Sequence, residues 1–281
     1  MFKIDFLGIG TPKSATTWIS DNLDEHPEIC VSSPKETDFF IDQYDGKESL
    51  GDYENYFSHC GEDQKKGEYS VNYFHNESAP KKIKEAYPDI KLIVSFRNPV
   101  EREISEYFHN LRHIGEVSEE RANIRLKTMY KGEKKYYSYY LKKWLQHFDK
   151  DQFHFILVDN IKNNSEKVLS DLYDFLEVDS DFKSETLESK SNKAHIYKFP
   201  KLQGMMAEMY RSVKSKPQLN KLFEKSGIYS LGKLLKNKTS ETYEKPEIYE
   251  DTRKQIYNCF KKDIEELEHL IDRDLSEWKV G

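Results

Sequence analysis

The sequence predicts an α/β fold, a P-loop-like doubly wound parallel sheet flanked by helices, in one domain over residues 1–281 with helical cap segments. Three observations predict it. The apolar run Phe6–Gly10 passes straight into a small, hydroxyl-rich turn and then into a helical pattern. The run Lys91–Phe96 does the same ahead of Pro99. Between and beyond them strand-like and helix-like stretches alternate, the order of parallel strands joined by helical crossovers.

The first strand leads through Thr11-Pro12-Lys13-Ser14-Ala15 to a helix from Thr16 to Glu25. Pro27–Val31 reads as a short second strand, with Lys35–Phe40 just beyond it and close to the turn. Lys66–Ser70 is a candidate strand, and Ala79–Tyr87 a helix stopped by Pro88-Asp89. The strand ending at Phe96 hands over to a helix that opens on Pro99, a residue suited to a first turn. Asn110–Lys135 is charged, without a strand signal, and is read as helical cap material. Tyr137, Leu141, Trp144 and Phe148 recur at helical spacing, which points to core packing. Phe153–Val158 is the last clear strand, and Asn164–Leu176 an amphipathic helix with Val168, Leu169, Leu172 and Leu176 on one side. Leu202–Val213 and Ile248–Ile271 are the final long helices.

The first turn aims backbone N–H groups and a helix N-terminus at one spot, where an oxyanion is stabilised. It departs from the nucleotide triphosphatase pattern G-x-x-x-x-G-K-[ST] where chemistry is decided. Counting from Gly10, Ala15 stands for the second glycine and Thr16 for the lysine; Thr17 keeps the hydroxyl and the lysine has moved to Lys13. Thr16 cannot neutralise a γ-phosphate as lysine does. At the second turn, Arg97 leaves its strand at the carboxyl end, where open α/β sheets bind ligands. Its planar fork suits a phosphate, and Ser105 follows two turns into the next helix.

These residues carry a resemblance. Thr11–Trp18 is similar to the 5′-phosphosulfate-binding loop of sulfotransferases, and Phe96-Arg97-Asn98-Pro99 through Ser105 to their 3′-phosphate-binding motif. Pro34-Lys35-Glu36-Thr37-Asp38-Phe39-Phe40 resembles the K-E-x-H-F-F segment of the heparan-sulfate branch, and Asp263–Glu268 with Asp274–Trp278 resembles that branch's C-terminal helix and tail. The resemblance implies 3′-phosphoadenosine 5′-phosphosulfate as donor, Glu36 as catalytic base and Lys13 as the clamp on the leaving oxygen. A carboxylate near the donor's anions should resist ionisation, which would raise the Glu36 pKa. The nucleotide-binding set it implies is Lys13, Ser14, Ala15, Thr16, Thr17 and Trp18 in the turn, Arg97 and Ser105 at the 3′-phosphate, and Lys193 and Lys201 from a covering loop. No metal is expected, because protein cations and amides cover the charge. The acceptor it implies is a hydroxyl of a carbohydrate or glycolipid, with a small-molecule alcohol or amine as the alternative. A P-loop nucleotide kinase and a non-catalytic nucleotide-binding protein are the competing classes. Two positions depart from the branch: Asp38 stands where relatives have His, and Tyr69 where a second lysine is frequent.

Composition bounds the partners. Net charge is −6 with both signs interspersed, which argues against a general nucleic-acid binder. Cys30, Cys60 and Cys259 are odd in number and widely spaced, so reduced core thiols are expected. No basic, then apolar leader and no membrane-length apolar run stands in the sequence, and the expectation is a cytoplasmic enzyme.

Overall fold

The computed structural model describes residues 2–41, 50–111, 117–129, 136–187, 195–197, 240–242 and 245–279. Its centre is a five-stranded, all-parallel sheet built from β1 (Phe6–Gly10), β2 (Ile29–Val31), β3 (Lys65–Tyr69), β4 (Lys91–Phe96) and β5 (Phe153–Leu157), in the order β2-β3-β1-β4-β5. From β1 the chain winds first to one side, through β2 and β3, and then to the other, through β4 and β5. The reversal makes β1 the switch point, whose carboxyl edge is where such sheets bind ligands. The doubly wound reading of the sequence is therefore correct.

Helices are α1 (Thr16–Glu25), α2 (Leu50–Glu54), α3 (Ala79–Ala86), α4 (Pro99–Asn110), α5 (Glu119–Met129), α6 (Tyr137–Leu145), α7 (Val158–Asn163), α8 (Ser165–Leu176) and α9 (Glu250–Ile271). The Asn164 side chain accepts from Lys167 N–H and so caps α8. The chain separates at Arg102/Glu103 into two compact units; the first holds residues 1–102, 132–191 and 256–281, the second 103–131 and 192–255.

In the first unit, Ile19 and Leu23 of α1 and Leu169, Leu172 and Leu176 of α8 bury against Phe6, Ile93 and Ile156 of the sheet. Burial of such side chains is worth about 1.5–3 kcal/mol each before chain entropy is set against it. A second cluster gathers Phe74, Phe96 and Tyr137, and the Trp144 indole donates to Phe74 O at 3.2 Å. Tyr137, Leu141 and Trp144 are fully buried, so their helical spacing does mark core. Asp263 of α9 caps α6, accepting from Tyr137 N–H at 3.0 Å and Ser138 N–H at 2.7 Å. Burial holds its carboxyl above the usual range, against the pull of those donors and of Arg102. Arg102, itself buried, lies 4.5 Å over the Tyr137 ring and 5.6 Å from that of Phe260.

In the second unit, Asn123 of α5 donates to Glu247 O at 3.0 Å and accepts from Tyr249 N–H at 2.8 Å, and Lys127 pairs with Asp251 at the start of α9. β6 (His195–Tyr197) and β7 (Ser240–Thr242) form an antiparallel pair that the sequence pattern does not announce. The expected helix at Leu202–Val213 lies outside the described residues.

The expectation of three reduced thiols is corrected: Cys30 and Cys60 form a disulfide, and Cys259 alone is free among the described residues. A separation of 30 residues hides the pair in the sequence. It arises because Ser33 N–H donates to Tyr56 O, which lays the turn after the short 3-10 segment Asn55–Phe57 along β2. His59 Nε2 stands 3.4 Å from the Cys30 sulfur, but the two sulfurs are bonded to each other and offer no thiolate.

His154 on β5 gives the fold an acid sensitivity. Burial lowers its pKa to about 4, its ring lying 5.1 Å from that of Phe175. An unfolded chain takes up this proton from about pH 6.5 downward, the folded one only near 4, so stability falls as pH drops through that window. Between pH 7 and 5 the loss is on the order of 2 kcal/mol. His154→Phe is expected to flatten the fall in unfolding free energy over that range; equal slopes for both proteins would count against it.

Candidate active site

The cradle is built on β1, whose five residues are all buried. Two glycines make it possible. A Cβ at Gly8 would stand 2.1 Å from the Tyr69 ring, and Gly10 has φ +144° with Phe74 Cβ at 2.9 Å from the same imagined atom. The turn that follows is tied to β4 by Thr11, which donates from N–H and Oγ1 to Ser95 O at 3.0 and 2.9 Å. The Ser14 hydroxyl is engaged with Thr11 Oγ1 at 2.8 Å, so Ser14 has its backbone amide to offer. Lys13 and Ala15 take left-handed backbone, φ 65° and 60°, which turns the chain sharply into α1. Ala15, the residue capping α1, has no side-chain acceptor, and Ile19 N–H is bonded back to Ala15 O. A helix start capped by alanine leaves its first amides to solvent or to a bound anion.

Of the hydroxyls that follow, Thr16 is buried and Thr17 exposed. The Trp18 indole lies in the core and its N–H donates to Leu187 O at 3.2 Å. Any role of Trp18 at the nucleotide is confined to its backbone.

Arg97 meets this turn. Its Nη1 donates to Lys13 O at 3.4 Å and its Nη2 faces Glu101 at 3.5 Å. Tyr137 O–H donates to Arg97 O at 3.1 Å and fixes the backbone below. Nε is buried with no hydrogen-bond partner among the described residues. An orphaned guanidinium N–H is costly, and an anion bound at the turn would supply an acceptor. The two motifs, 84 residues apart, are thus brought together. Ser105 is half-buried on α4 and belongs to the second unit. Lys193 and Lys201 lie outside the described residues.

The Glu36 segment reaches the cradle from β2. The Ser33–Pro34 peptide is cis, and Glu36 and Asp38 have φ 60° and 54°. Lys35 Nζ donates to Thr16 O at 3.4 Å, which joins this loop to the first residue of α1. Burial lowers the Lys35 pKa, with Glu36 and Asp21 opposing the shift. Asp38 accepts from Asn72 Nδ2 at 3.0 Å, so the acid in the histidine's place is itself held.

Tyr69 does not act in place of a lysine. Its ring packs across Gly8 and its hydroxyl donates to Gly10 O at 3.2 Å, beside Ser95 Oγ. Burial pushes its phenol far above the ordinary range. Lys35 stands over this ring, Nζ 6.0 Å from its centroid, and brings a cation to this side of the cradle. Sequence reasoning gave Lys35 no role. It also missed Glu68, Thr37 and Tyr73, fully or almost fully buried, whose hydrogen bonds hold the Glu36 loop. The available signal was an acid at the end of a strand run, where an apolar residue is expected.

Comparison with known proteins agrees with this geometry. A sulfotransferase domain family model matches residues 3–267. A bifunctional heparan sulfate N-deacetylase/N-sulfotransferase 1 from Caenorhabditis elegans is 29% identical over 190 residues, 62% of this chain and 22% of that protein. A mouse heparan sulfate glucosamine 3-O-sulfotransferase 6 is 27% identical over 183 residues, 60% of this chain and 50% of that protein. The chain thus spans half or less of the length of these relatives. A crystal structure of a sulfotransferase from Alicyclobacillus acidocaldarius matches with TM-score 0.67 over 99% of this chain and 100% of that one, at 21% identity, a likeness of fold. With both motifs seated at the switch point and the family match running through most of α9, the chain belongs to the sulfotransferase domain family.

Proposed function

We propose that the protein transfers a sulfuryl group from 3′-phosphoadenosine 5′-phosphosulfate to a hydroxyl of a carbohydrate or glycolipid acceptor. The observation that carries the reading is the meeting of Arg97 with the Lys13 carbonyl at the carboxyl edge of β1 and β4. It places a phosphate fork and an anion cradle side by side, the arrangement a nucleotide with phosphates at both ends of its ribose requires. The names of the relatives support the carbohydrate acceptor. They span amine and hydroxyl sulfation, so an amine acceptor is the second reading.

In this reading the acceptor oxygen attacks sulfur in line while the bond from sulfur to the 5′-phosphate oxygen breaks. Glu36 takes the acceptor proton, and adenosine 3′,5′-bisphosphate leaves. The transition state is loose, with charge building on the leaving oxygen, so cations fixed in advance do most of the work. Lys13 clamps that oxygen, the α1 amides hold the 5′-phosphate, and Lys35 adds charge from the Glu36 side. Arg97, with Ser105, holds the 3′-phosphate. These protein cations make the transfer metal-independent.

Adenosine 3′,5′-bisphosphate is expected to raise the melting midpoint without Mg²⁺, and ATP to do little. A ligand at a hundred times its Kd stabilises by about 2.7 kcal/mol. A shift seen only with ATP and Mg²⁺ would favour the nucleotide kinase instead. Transfer of labelled sulfate, screened over sugars, glycolipids, alcohols and amines, then separates an enzyme from a nucleotide-binding protein and assigns the acceptor.

A further inference from the structure

Glu68, next to last in β3, is a fully buried carboxylate, and no catalytic part falls to it in the mechanism above. Its two oxygens gather three hydroxyls. Oε2 accepts closely from Thr37 Oγ1 and, at 3.4 Å, from Ser70 Oγ; Oε1 accepts from Tyr73 O–H at 2.5 Å. Each hydroxyl then accepts one backbone N–H of the loop that carries Glu36. Ser70 Oγ takes Asp38 N–H at 3.1 Å, Thr37 Oγ1 takes Phe39 N–H at 3.2 Å, and Tyr73 OH takes Phe40 N–H at 3.2 Å. Three consecutive amides are thus referred, through three hydroxyls, to one acid.

Apolar packing alone would anchor this stretch. Phe39 stacks on Tyr53 at 4.5 Å, and Phe40 meets the same ring edge-on at 5.3 Å. Burying a carboxylate beneath such a cluster is unfavourable unless its oxygens are fully used. Burial does push the Glu68 carboxyl up, against the pull of Thr37 and Tyr73. What the acid adds beyond packing is direction. Its bonds fix the amides two to four residues after Glu36, where the left-handed backbone at 36 and 38 leaves the loop's course to its partners.

We propose that Glu68 is a positioning residue that sets the Glu36 carboxylate against the cradle, acting through Thr37, Ser70 and Tyr73. The assignment rests on the reading of Glu36 as the base. A displacement of about 1 Å in a reacting group can cost a hundredfold in rate. Glu68→Gln, which keeps shape and one acceptor oxygen, is therefore expected to lower kcat about 10- to 100-fold, with the Kd for adenosine 3′,5′-bisphosphate within about twofold of the wild type. Tyr73→Phe, which releases the Phe40 amide but leaves the acid, is expected to lower kcat about 5-fold or more, and decides the matter if Glu68→Gln does not fold.

The deciding measurement combines Glu68→Gln with Glu36→Gln. A residue acting only through Glu36 has nothing left to act on in that background, so the double variant should turn over no more slowly than Glu36→Gln alone. Multiplied losses, a weakened bisphosphate Kd, or a kcat within about threefold of wild type in the single variant would each overturn the positioning role. Normal turnover in Glu36→Gln would instead remove the base itself, an outcome read from a different protein.

Discussion

Glu36→Gln is expected to lower turnover by about two to four decades while leaving binding of adenosine 3′,5′-bisphosphate unchanged. The size follows from the loss of a positioned proton acceptor, which general-base catalysis values at about 10² to 10⁴. The substitution is isosteric, and the restraints mapped on the loop act on the amides of Asp38, Phe39 and Phe40. The loop should therefore keep its course when the carboxylate becomes an amide. The nucleotide contacts assigned to Lys13, Arg97 and the α1 amides lie on other segments, so the effect should appear in kcat and not in the Kd for the product nucleotide. Pre-steady-state transfer of labelled sulfate reads the chemical step directly. Turnover within about threefold of the wild type would remove Glu36 from the mechanism, and a parallel loss of bisphosphate binding would show that the substitution had disturbed the cradle.

The sheet and both anion-facing turns were legible in the sequence because each rests on local signals. β1 and β4 are apolar runs ended by turn residues, α4 opens on a proline, and α8 carries an asparagine cap and an amphipathic stripe. Arg97 and Lys13 could be paired because each stands within three residues of the end of such a run. The Glu36 loop was legible only as a motif. Its shape depends on Glu68, Ser70 and Tyr73, more than thirty residues away, and no local pattern encodes those bonds. Tyr69 was visible as a departure from the family, but its inward course follows from Gly8, which leaves the ring a place across β1. Trp18 shows the converse. Its position in a binding motif suggested a ligand contact, whereas helical phase places its indole on the buried side of α1 beside Ile19. The Cys30–Cys60 bond was hidden for the same reason as the loop, since the segments that bring the two sulfurs together meet only in the folded chain.

Arg97→Ala is expected to weaken adenosine 3′,5′-bisphosphate about 30- to 100-fold, and adenosine 5′-phosphate by less than about threefold. Charge-assisted hydrogen bonds of a guanidinium contribute about 1.5–3 kcal/mol, which converts to about 10- to 150-fold and brackets that range. The position is suited to such a test because the side chain and the backbone are held separately. Tyr137 O–H keeps the Arg97 carbonyl whatever the side chain, so α4 and its Asn98 cap should stay in place. What the alanine removes is the 3.4 Å bond to Lys13 O, the 3.5 Å contact with Glu101 on α4, and the buried Nε that has no partner among the described residues. Loss of the Lys13 bond would loosen the turn and affect both nucleotides equally; loss of the Nε donor would affect only the one carrying a 3′-phosphate. Their ratio therefore isolates the phosphate contact from the support of the cradle. Arg97→Lys refines it, since an ammonium keeps the charge but lacks the fork and the Nε donor, and an intermediate loss is expected. Equal losses for the two nucleotides in Arg97→Ala would mean that Arg97 braces the Lys13 turn and that the 3′-phosphate is gripped elsewhere.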